Sequence, residues 1–355
     1  MLLNSNSIHP ITQDLLLWYS TYKRSLPWRE KPEAYFVWLA EIIFQQTRIE
    51  QGLSYYEKIT DRFPNVFDLA MAEEQEILKL WEGLGYYSRA RNLHFSAKMI
   101  VNDFNGVFPS KYEDILSLKG VGPYTAAAIS SIAFKLPYPS IDGNVLRVAS
   151  RLFCISELIN SKKTYNKIEE ELKEIIDKEN PGDFNQALME LGSLICKPQN
   201  PLCEKCPLLY HCQAHEKGIH KSLPVKDKKV KVKEVFFNYL VTIKNDTFGI
   251  EKRIAGIWKN LYQFPLVESD ALLTEKEIAV HFESSGKIEL IESEIYKHIL
   301  SHRIIYAKFW IQRSSDEKFK DQLVRIEKSE LKKYPMPRLI TRFLESDEAK
   351  KYILA

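Results

Sequence analysis

The sequence contains no run of about 18 consecutive apolar residues, so neither a membrane-spanning helix nor a membrane partner is expected. Its opening residues, MLLNSNSIHPITQD, lack both a basic stretch and a long apolar core, so no secretion signal is expected. Cysteine is scarce. Five occur in 355 residues, and four of them, Cys196, Cys203, Cys206 and Cys212, fall close together. Few, clustered cysteines fit a reducing cytosol rather than a disulfide-rich secreted scaffold. Neither sign of charge dominates, because 50 Lys and Arg face 47 Asp and Glu for a net +3. That balance permits a polyanionic partner without demanding one. No internal repeat is visible, and the only biased tract is one lysine-rich segment.

What is present is an ordinary globular composition, 45% hydrophobic and 27% charged, on a chain long enough for two domains. The cysteine quartet has the spacing C-x6-C-x2-C-x5-C, with Cys154 standing apart. That spacing leaves too little chain for a disulfide-held domain but lets four thiolates converge on one metal centre. A zinc ribbon brings two Cys-x-x-Cys knuckles, and here there is one, Cys203 with Cys206. By spacing alone, zinc and an iron–sulfur cluster both remain open.

Periodicity divides the chain. From residue 8 to about 195 apolar residues recur at helical spacing, as in Leu15, Trp18, Tyr19 and Tyr22, or Ile77, Leu78, Leu80 and Trp81. The stretch beginning Ser110 and Glu113 reads as a capping box opening a helix that runs to Leu118. Between His215 and Glu234 sit Lys217, Lys221, Lys226, Lys228, Lys229, Lys231 and Lys233, readable as a solvated linker or as a strap facing phosphates. Beyond it, residues 236–243, 247–251, 287–295 and 303–312 read as strands, with a hairpin turn at Asn245 and Asp246. Residues 274–285 and 337–345 read as helices. The expected organisation is an all-α domain over 1–214, a basic linker over 215–233, and a smaller α/β domain over 234–355.

Three places in the first domain carry candidate chemistry. LKGVGPYTA, from Leu118 to Ala126, joins two helices through a turn in which Gly120 and Gly122 allow positive φ. Pro123 then suits the first position of the next helix, whose free amides offer an anion site. The same turn also serves as a plain tight connection. Glu41 is the only charged residue between Ala34 and Phe44. It either faces the one wet stripe of its helix or sits in a dry pocket, where burial would raise its pKa and suit a general acid. Asp142, in SIDGNVLRV, precedes a helix and reads as an N-cap, a position that also favours the carboxylate anion. A protonatable acid with an anionic partner is the division of labour that cleaves glycosidic bonds, here by analogy with sugar hydrolases.

These segments together resemble the helix-hairpin-helix superfamily of base-excision DNA glycosylases, most closely its adenine DNA glycosylase branch. The carriers are LKGVGPYTA, SIDGNVLRV and the cysteine quartet. LPWRE (Leu26 to Glu30), EIIFQQTRIE (Glu41 to Glu50) and WEGLGYYSRARNLH (Trp81 to His94) accompany them in the same order. The match is dense from about residue 15 to 225 and thinner beyond. It implies a helix-hairpin-helix at 111–134 and a cluster loop at 196–212 holding [4Fe–4S] through the four cysteines. It also implies a monomeric enzyme of the bacterial cytoplasm, acting at the nucleoid on duplex DNA with adenine opposite 8-oxoguanine or guanine. Glu41 matches the general acid that protonates adenine N7. Asp142 matches the carboxylate that stabilises the oxocarbenium ion, with Asn144 and Tyr124 supporting it and the sugar. Arg24, Trp28, Arg29 and Gln186 match adenine-pocket positions, Gln46 and Tyr86 duplex wedges, and Thr47 and Leu84 contacts to 8-oxoguanine. Tyr124 stands where bifunctional relatives such as endonuclease III carry a lysine. A phenol cannot form that Schiff base, so base removal without strand cleavage is expected.

In the second domain, Lys252 to Pro265 resembles the R-x-x-x-G-x-W-x-x-x-W-x-F-P pattern of the branch's Nudix-like C-terminal domain. The acidic signature of nucleotide-hydrolysing Nudix enzymes is absent from residues 266–290. The resemblance implies a lesion-recognition domain whose loop reads Leu300, Ser301, His302 where the family has Phe-Ser-His. Ser301 is then the candidate donor to the oxidised base; its alternative reading is a plain turn residue.

Overall fold

The computed structural model describes residues 8–227, 232–244, 246–282, 290–313 and 323–354. The chain forms two compact units, residues 1–71 with 92–228 and residues 72–91 with 229–355. Lys228, Lys229 and Lys231 of the lysine-rich segment, Asn245 of the expected turn, and residues 287–289 of one expected strand lie outside the described residues. Among the described residues no helix is long and apolar enough to cross a membrane.

The first unit is helical. Helices Pro10–Tyr22, Pro27–Glu30, Ala34–Ile43, Ile49–Arg62 and Val66–Met71 lead in, and Ser88–Asp103 enters the unit at Asn92. Tyr112–Ser117, Pro123–Phe134, Gly143–Leu152, Lys162–Ile175 and Pro181–Leu194 follow, then short turns through the cysteine loop to Gln213–Glu216. Ala34–Ile43 buries Val37, Trp38, Leu39, Ala40, Ile42 and Ile43 almost completely and packs on Pro123–Phe134, whose Ala126, Ala127 and Ala128 permit close approach. Gly143–Leu152 packs on Pro181–Leu194. The two backbones meet so closely that a Cβ on Gly192 would come within 2.7 Å of Asn144 Cβ.

Two local expectations are corrected here. Tyr112–Ser117 opens from an extended Lys111 with no side-chain cap, so Ser110 lies one residue too early to close a capping box. At the hairpin, Gly120 is left-handed at φ +82° and a Cβ there would meet Asn92, but Gly122 takes an ordinary φ of −101° because it is the extended N-cap of the next helix.

In the second unit, residues 72–91 accompany an eight-stranded sheet. The strands are β1 (Lys233–Lys244), β2 (Thr247–Lys252), β3 (Tyr262–Gln263), β4 (Leu266–Ser269), β5 (Leu290–Glu292), β6 (Tyr296–Ile299), β7 (Arg303–Arg313) and β8 (Val324–Glu327). β1 and β7 pair in parallel at the centre, from Lys233 opposite Arg303 to Ile243 opposite Arg313. β4 and β2 flank β1, β5 and β6 flank β7, and β2 also pairs with β3 and β8. Alternation along β1 sends Phe237, Tyr239 and Val241 into one core with Phe309 and the helix Arg338–Leu344. Leu240 faces the other side, packed with Trp310 and Ile278 of the helix Glu275–His281. That second helix carries a complete capping box between Thr274 and Glu277. The strand expected at 287–295 is described only as the three residues of β5.

Candidate active site and metal centre

Glu41 and Asp142 lie on different helices of the first unit and share one electrostatic environment. Glu41 projects from Ala34–Ile43 among apolar neighbours. Burial pushes its carboxyl up to about 7, opposed by a hydrogen bond with Tyr124 and by Arg29, and reinforced by the charge of Asp142. The residue as a whole is half-buried, but its carboxyl lies on the dry side, closer to the pocket alternative than to a wet stripe. Tyr124 is raised far above the ordinary phenol range, first by burial and then by the two carboxylates. Its hydroxyl also donates to Met189 Sδ at 3.3 Å. A hydroxyl has one proton, so while Tyr124 donates to the thioether, the neutral carboxyl of Glu41 is the donor to Tyr124.

Asp142 is both an N-cap and a member of this site. Its Oδ1 accepts from the amides of Asn144 at 2.9 Å and Val145 at 2.7 Å, and its Oδ2 accepts from Asn144 Nδ2 at 2.8 Å. Burial nevertheless pushes its carboxyl up, against those bonds and the charge of Arg147. It is thus less acidic than an exposed cap at a helix N-terminus. Asn144 is held in turn by Arg147, which also donates to the carbonyls of Gly192 and Cys196, each at 2.8 Å.

Beside the carboxylates is an ion-pair network around Glu190, which is 1% exposed. Arg24 reaches it through Nε at 2.7 Å and Nη2 at 2.8 Å, and Arg29 through Nη2 at 3.0 Å. Burial alone would raise the Glu190 carboxyl, but the two arginines together bring it down to about 2. Arg29 Nε also donates to Gln186 Oε1 at 2.9 Å, which fixes the orientation of the amide. Trp28 is buried between Phe44 and Tyr56, with ring centroids 4.7 and 5.2 Å away. Gln46 is exposed on a left-handed backbone at φ +54°, with Thr47 partly buried beside it. The hairpin turn from Leu118 is tied down by Ser96, whose hydroxyl donates to the Lys119 carbonyl at 3.0 Å.

In the second unit, Tyr86 is also left-handed, at φ +48°, and its hydroxyl is hydrogen-bonded to Ser301 Oγ across 215 residues of chain. Leu84, between two glycines of positive φ, is buried rather than presented to solvent.

The four clustered cysteines carry no disulfide and line one cavity, together with Arg151, His215 and His220. Hydrogen-bond donors already face their sulfurs. Arg151 Nη1 reaches Cys196 at 3.3 Å, the Leu208 amide faces Cys206, and the His215 and Ala214 amides face Cys212. Burial pushes the Cys206 thiol up to about 12. Four thiolates gathered here need a bound cation to hold them ionised, which fits a thiolate-ligated metal cluster.

Arg147, Arg151 and Glu190 escaped the reading of the sequence, although each organises the site. Arg147 and Arg151 stand four apart on the helix Gly143–Leu152, on the side that also carries Asn144 and Ser150, so the local sequence does not separate them from an ordinary solvated polar face.

Residues 39–178 match the family described as HhH-GPD superfamily base excision DNA repair protein, and residues 238–346 match the NUDIX domain. The chain is 36% identical over 261 residues to the adenine DNA glycosylase of Buchnera aphidicola subsp. Schizaphis graminum (strain Sg), covering 73% of this chain and 75% of the relative. It is 34% identical over 307 residues to the adenine DNA glycosylase of Buchnera aphidicola subsp. Baizongia pistaciae (strain Bp), covering 84% and 85%. A solved thermostable thymine-DNA glycosylase superposes with a TM-score of 0.54 at 29% identity, over 58% of this chain and 95% of that one.

Proposed function

Since the chain belongs to the adenine DNA glycosylase family, we propose that it removes adenine mispaired with 8-oxoguanine or guanine in duplex DNA, leaving an abasic site. The observation that carries the mechanism is the carboxyl of Glu41, raised to about 7 next to Tyr124 and Asp142. The target bond is hidden in the base stack, so the nucleotide is turned out of the duplex, with Gln46 and Tyr86 wedging into the gap. Both wedge candidates sit on left-handed backbone, which supports a role that needs a projecting side chain.

Neutral Glu41 gives its proton to adenine N7, and the N-glycosidic bond breaks with both electrons leaving on the base. The sugar becomes an oxocarbenium ion, and the Asp142 carboxylate, held by Asn144, stabilises it. Water adds at C1′ and its proton returns to Glu41. Arg24, Trp28, Arg29 and Gln186 line the adenine pocket, with Glu190 fixing the arginines. Gly120 and Gly122 hold a phosphate at the hairpin, and Thr47, Leu84 and Ser301 serve the opposite base. Cys196, Cys203, Cys206 and Cys212 hold a [4Fe–4S] cluster, whose chemistry here is structural: it ties the loop bearing Lys197 and Lys205 into place.

The test is single-turnover excision from an A:8-oxoguanine duplex. Glu41→Gln and Asp142→Asn are expected to lower the rate on the order of a thousandfold while duplex binding is kept. Normal rates in both variants would remove the assignment. Incubation of the unmodified protein with abasic DNA and borohydride is expected to trap almost no adduct. Efficient trapping would favour the lyase reading.

A further inference from the structure

Two histidines share the cysteine cavity and have no part in the mechanism above. One ring nitrogen from each of His215 and His220 and the Sγ of Cys203 all lie within 4.8 Å of one another. The two imidazoles are 5.1 Å apart, centroid to centroid, at an angle of 41°. Nδ1 of each ring is buried and makes no hydrogen bond. A buried imidazole nitrogen left without a partner is costly, and with a ring nitrogen of each histidine within 4.8 Å of the Cys203 sulfur the pair points to a shared acceptor. Cys196, Cys206 and Cys212 already receive bonds from the Arg151 guanidinium or from amides of neighbouring residues, whereas the bond resolved at Cys203 comes from its own amide.

We propose that His215 and His220 belong to the metal centre, donating Nδ1–H···S hydrogen bonds to the Cys203 thiolate and so setting how firmly that corner of the cluster is held. The proposal rests on the [4Fe–4S] reading of the cysteine loop. Donors at a ligand sulfur favour the more negative redox state of a cluster, so they raise its reduction potential and oppose oxidative loss of iron. The sequence carries both rings on one short stretch directly after the last ligand. His215 follows Cys212 by one turn of helix, and Gly218, at φ +68°, turns the chain so that His220 comes back to the same cavity.

The experiment uses the full chain purified anaerobically with its cluster. Iron and sulfide are counted first. Zinc, or no metal, in the unmodified protein defeats the cluster reading itself and is seen before any variant is made. Ferricyanide is then added, taking one electron from the cluster to become ferrocyanide, and the visible absorbance is followed. His215→Leu and His220→Leu are each expected to lose absorbance roughly tenfold faster, the rate equivalent of one charge-assisted hydrogen bond. His220→Gln, which keeps an N–H, is expected to stay near the unmodified rate. Equal rates in all four proteins overturn the proposal. A second measurement does not depend on the variants folding: the unmodified protein with 15N-histidine, oxidised to its paramagnetic form, is read by pulsed EPR. Weak 15N and exchangeable-proton couplings are expected. Their absence, or a strong coupling of the size given by nitrogen bonded to iron, overturns the hydrogen-bond assignment.

Discussion

Arg147 donates to the side-chain oxygen of Asn144 at 2.9 Å, and through that bond the cysteine loop is joined to the candidate catalytic aspartate. Asn144 passes its amide hydrogen to Asp142, and Arg147 holds the Cys196 carbonyl with its Nε. Both ends of the Asn144 amide are thereby committed, so Asp142 is oriented by a side chain that has no alternative rotamer without breaking a buried bond.

Arg147→Lys keeps the charge and loses the planar fork that serves Asn144, Gly192 and Cys196 together. The expected result is a single-turnover excision rate lower by on the order of tenfold, the equivalent of one lost buried hydrogen bond, with duplex affinity and iron content unchanged. An unchanged rate would show that Asp142 needs no support from the loop.

The raised carboxyl of Glu41 gives a pH signature with a definite sign. The acid form is present below about 7. The excision rate is therefore expected to be level at lower pH and to fall about tenfold per pH unit above 7. A profile level to pH 9 would assign the proton to another group. Stability carries the same sign. Between the ordinary carboxyl value of 4.5 and the folded value of about 7 the folded protein binds the extra proton, so stability falls as pH rises through that window. Glu41→Gln is expected to be more stable than the unmodified protein at pH 8, on the order of 2 kcal/mol after allowance for partial exposure, and nearly equal to it at pH 4.5. Denaturant melts at the two pH values measure this.

What the sequence disclosed was whatever chemistry is written in contiguous residues. Glu41 stands out as a single charge in an apolar helix, Asp142 as a cap before a helix, and the quartet as thiols at ligand spacing. The second unit's strands were visible where β-branched and aromatic residues run together, as in β1 and β7. Arg151 was not visible, because its meaning comes from Leu223, Cys196 and Lys197, which the fold brings to it from 45 to 72 residues away. Gly122 misled because a glycine signals permission for positive φ, not its use.

Glu190 supplies a prediction on stability. It is buried, and Glu190→Gln removes the partner of Arg24 and Arg29 while leaving their charges in place. The loss is expected to be about 3 kcal/mol, at the low end for a buried pair because Arg24 is 34% exposed. The carboxyl is lowered from 4.5 to about 2, so its contribution is fully present above 4.5 and disappears as pH falls toward 2. Urea unfolding at pH 7 and at pH 3 checks both statements. A variant as stable as the parent at pH 7 would mean the network only positions the arginines.

The bond between Tyr86 and Ser301 turns two separately assigned residues into one element. Tyr86 holds a left-handed backbone, and its hydroxyl finds Ser301 on the loop between β6 and β7. If the pair acts together in reading the base opposite adenine, each partner is useless for that purpose without the other. Tyr86→Phe and Ser301→Ala are each expected to lower the excision rate on A:8-oxoguanine relative to A:G by a few-fold, about 1 kcal/mol. The double variant is expected to match either single one, leaving an interaction energy of similar size in the cycle. Additive losses would mean that the two side chains work independently. Unchanged preference in all three would mean that the bond only fastens the loop.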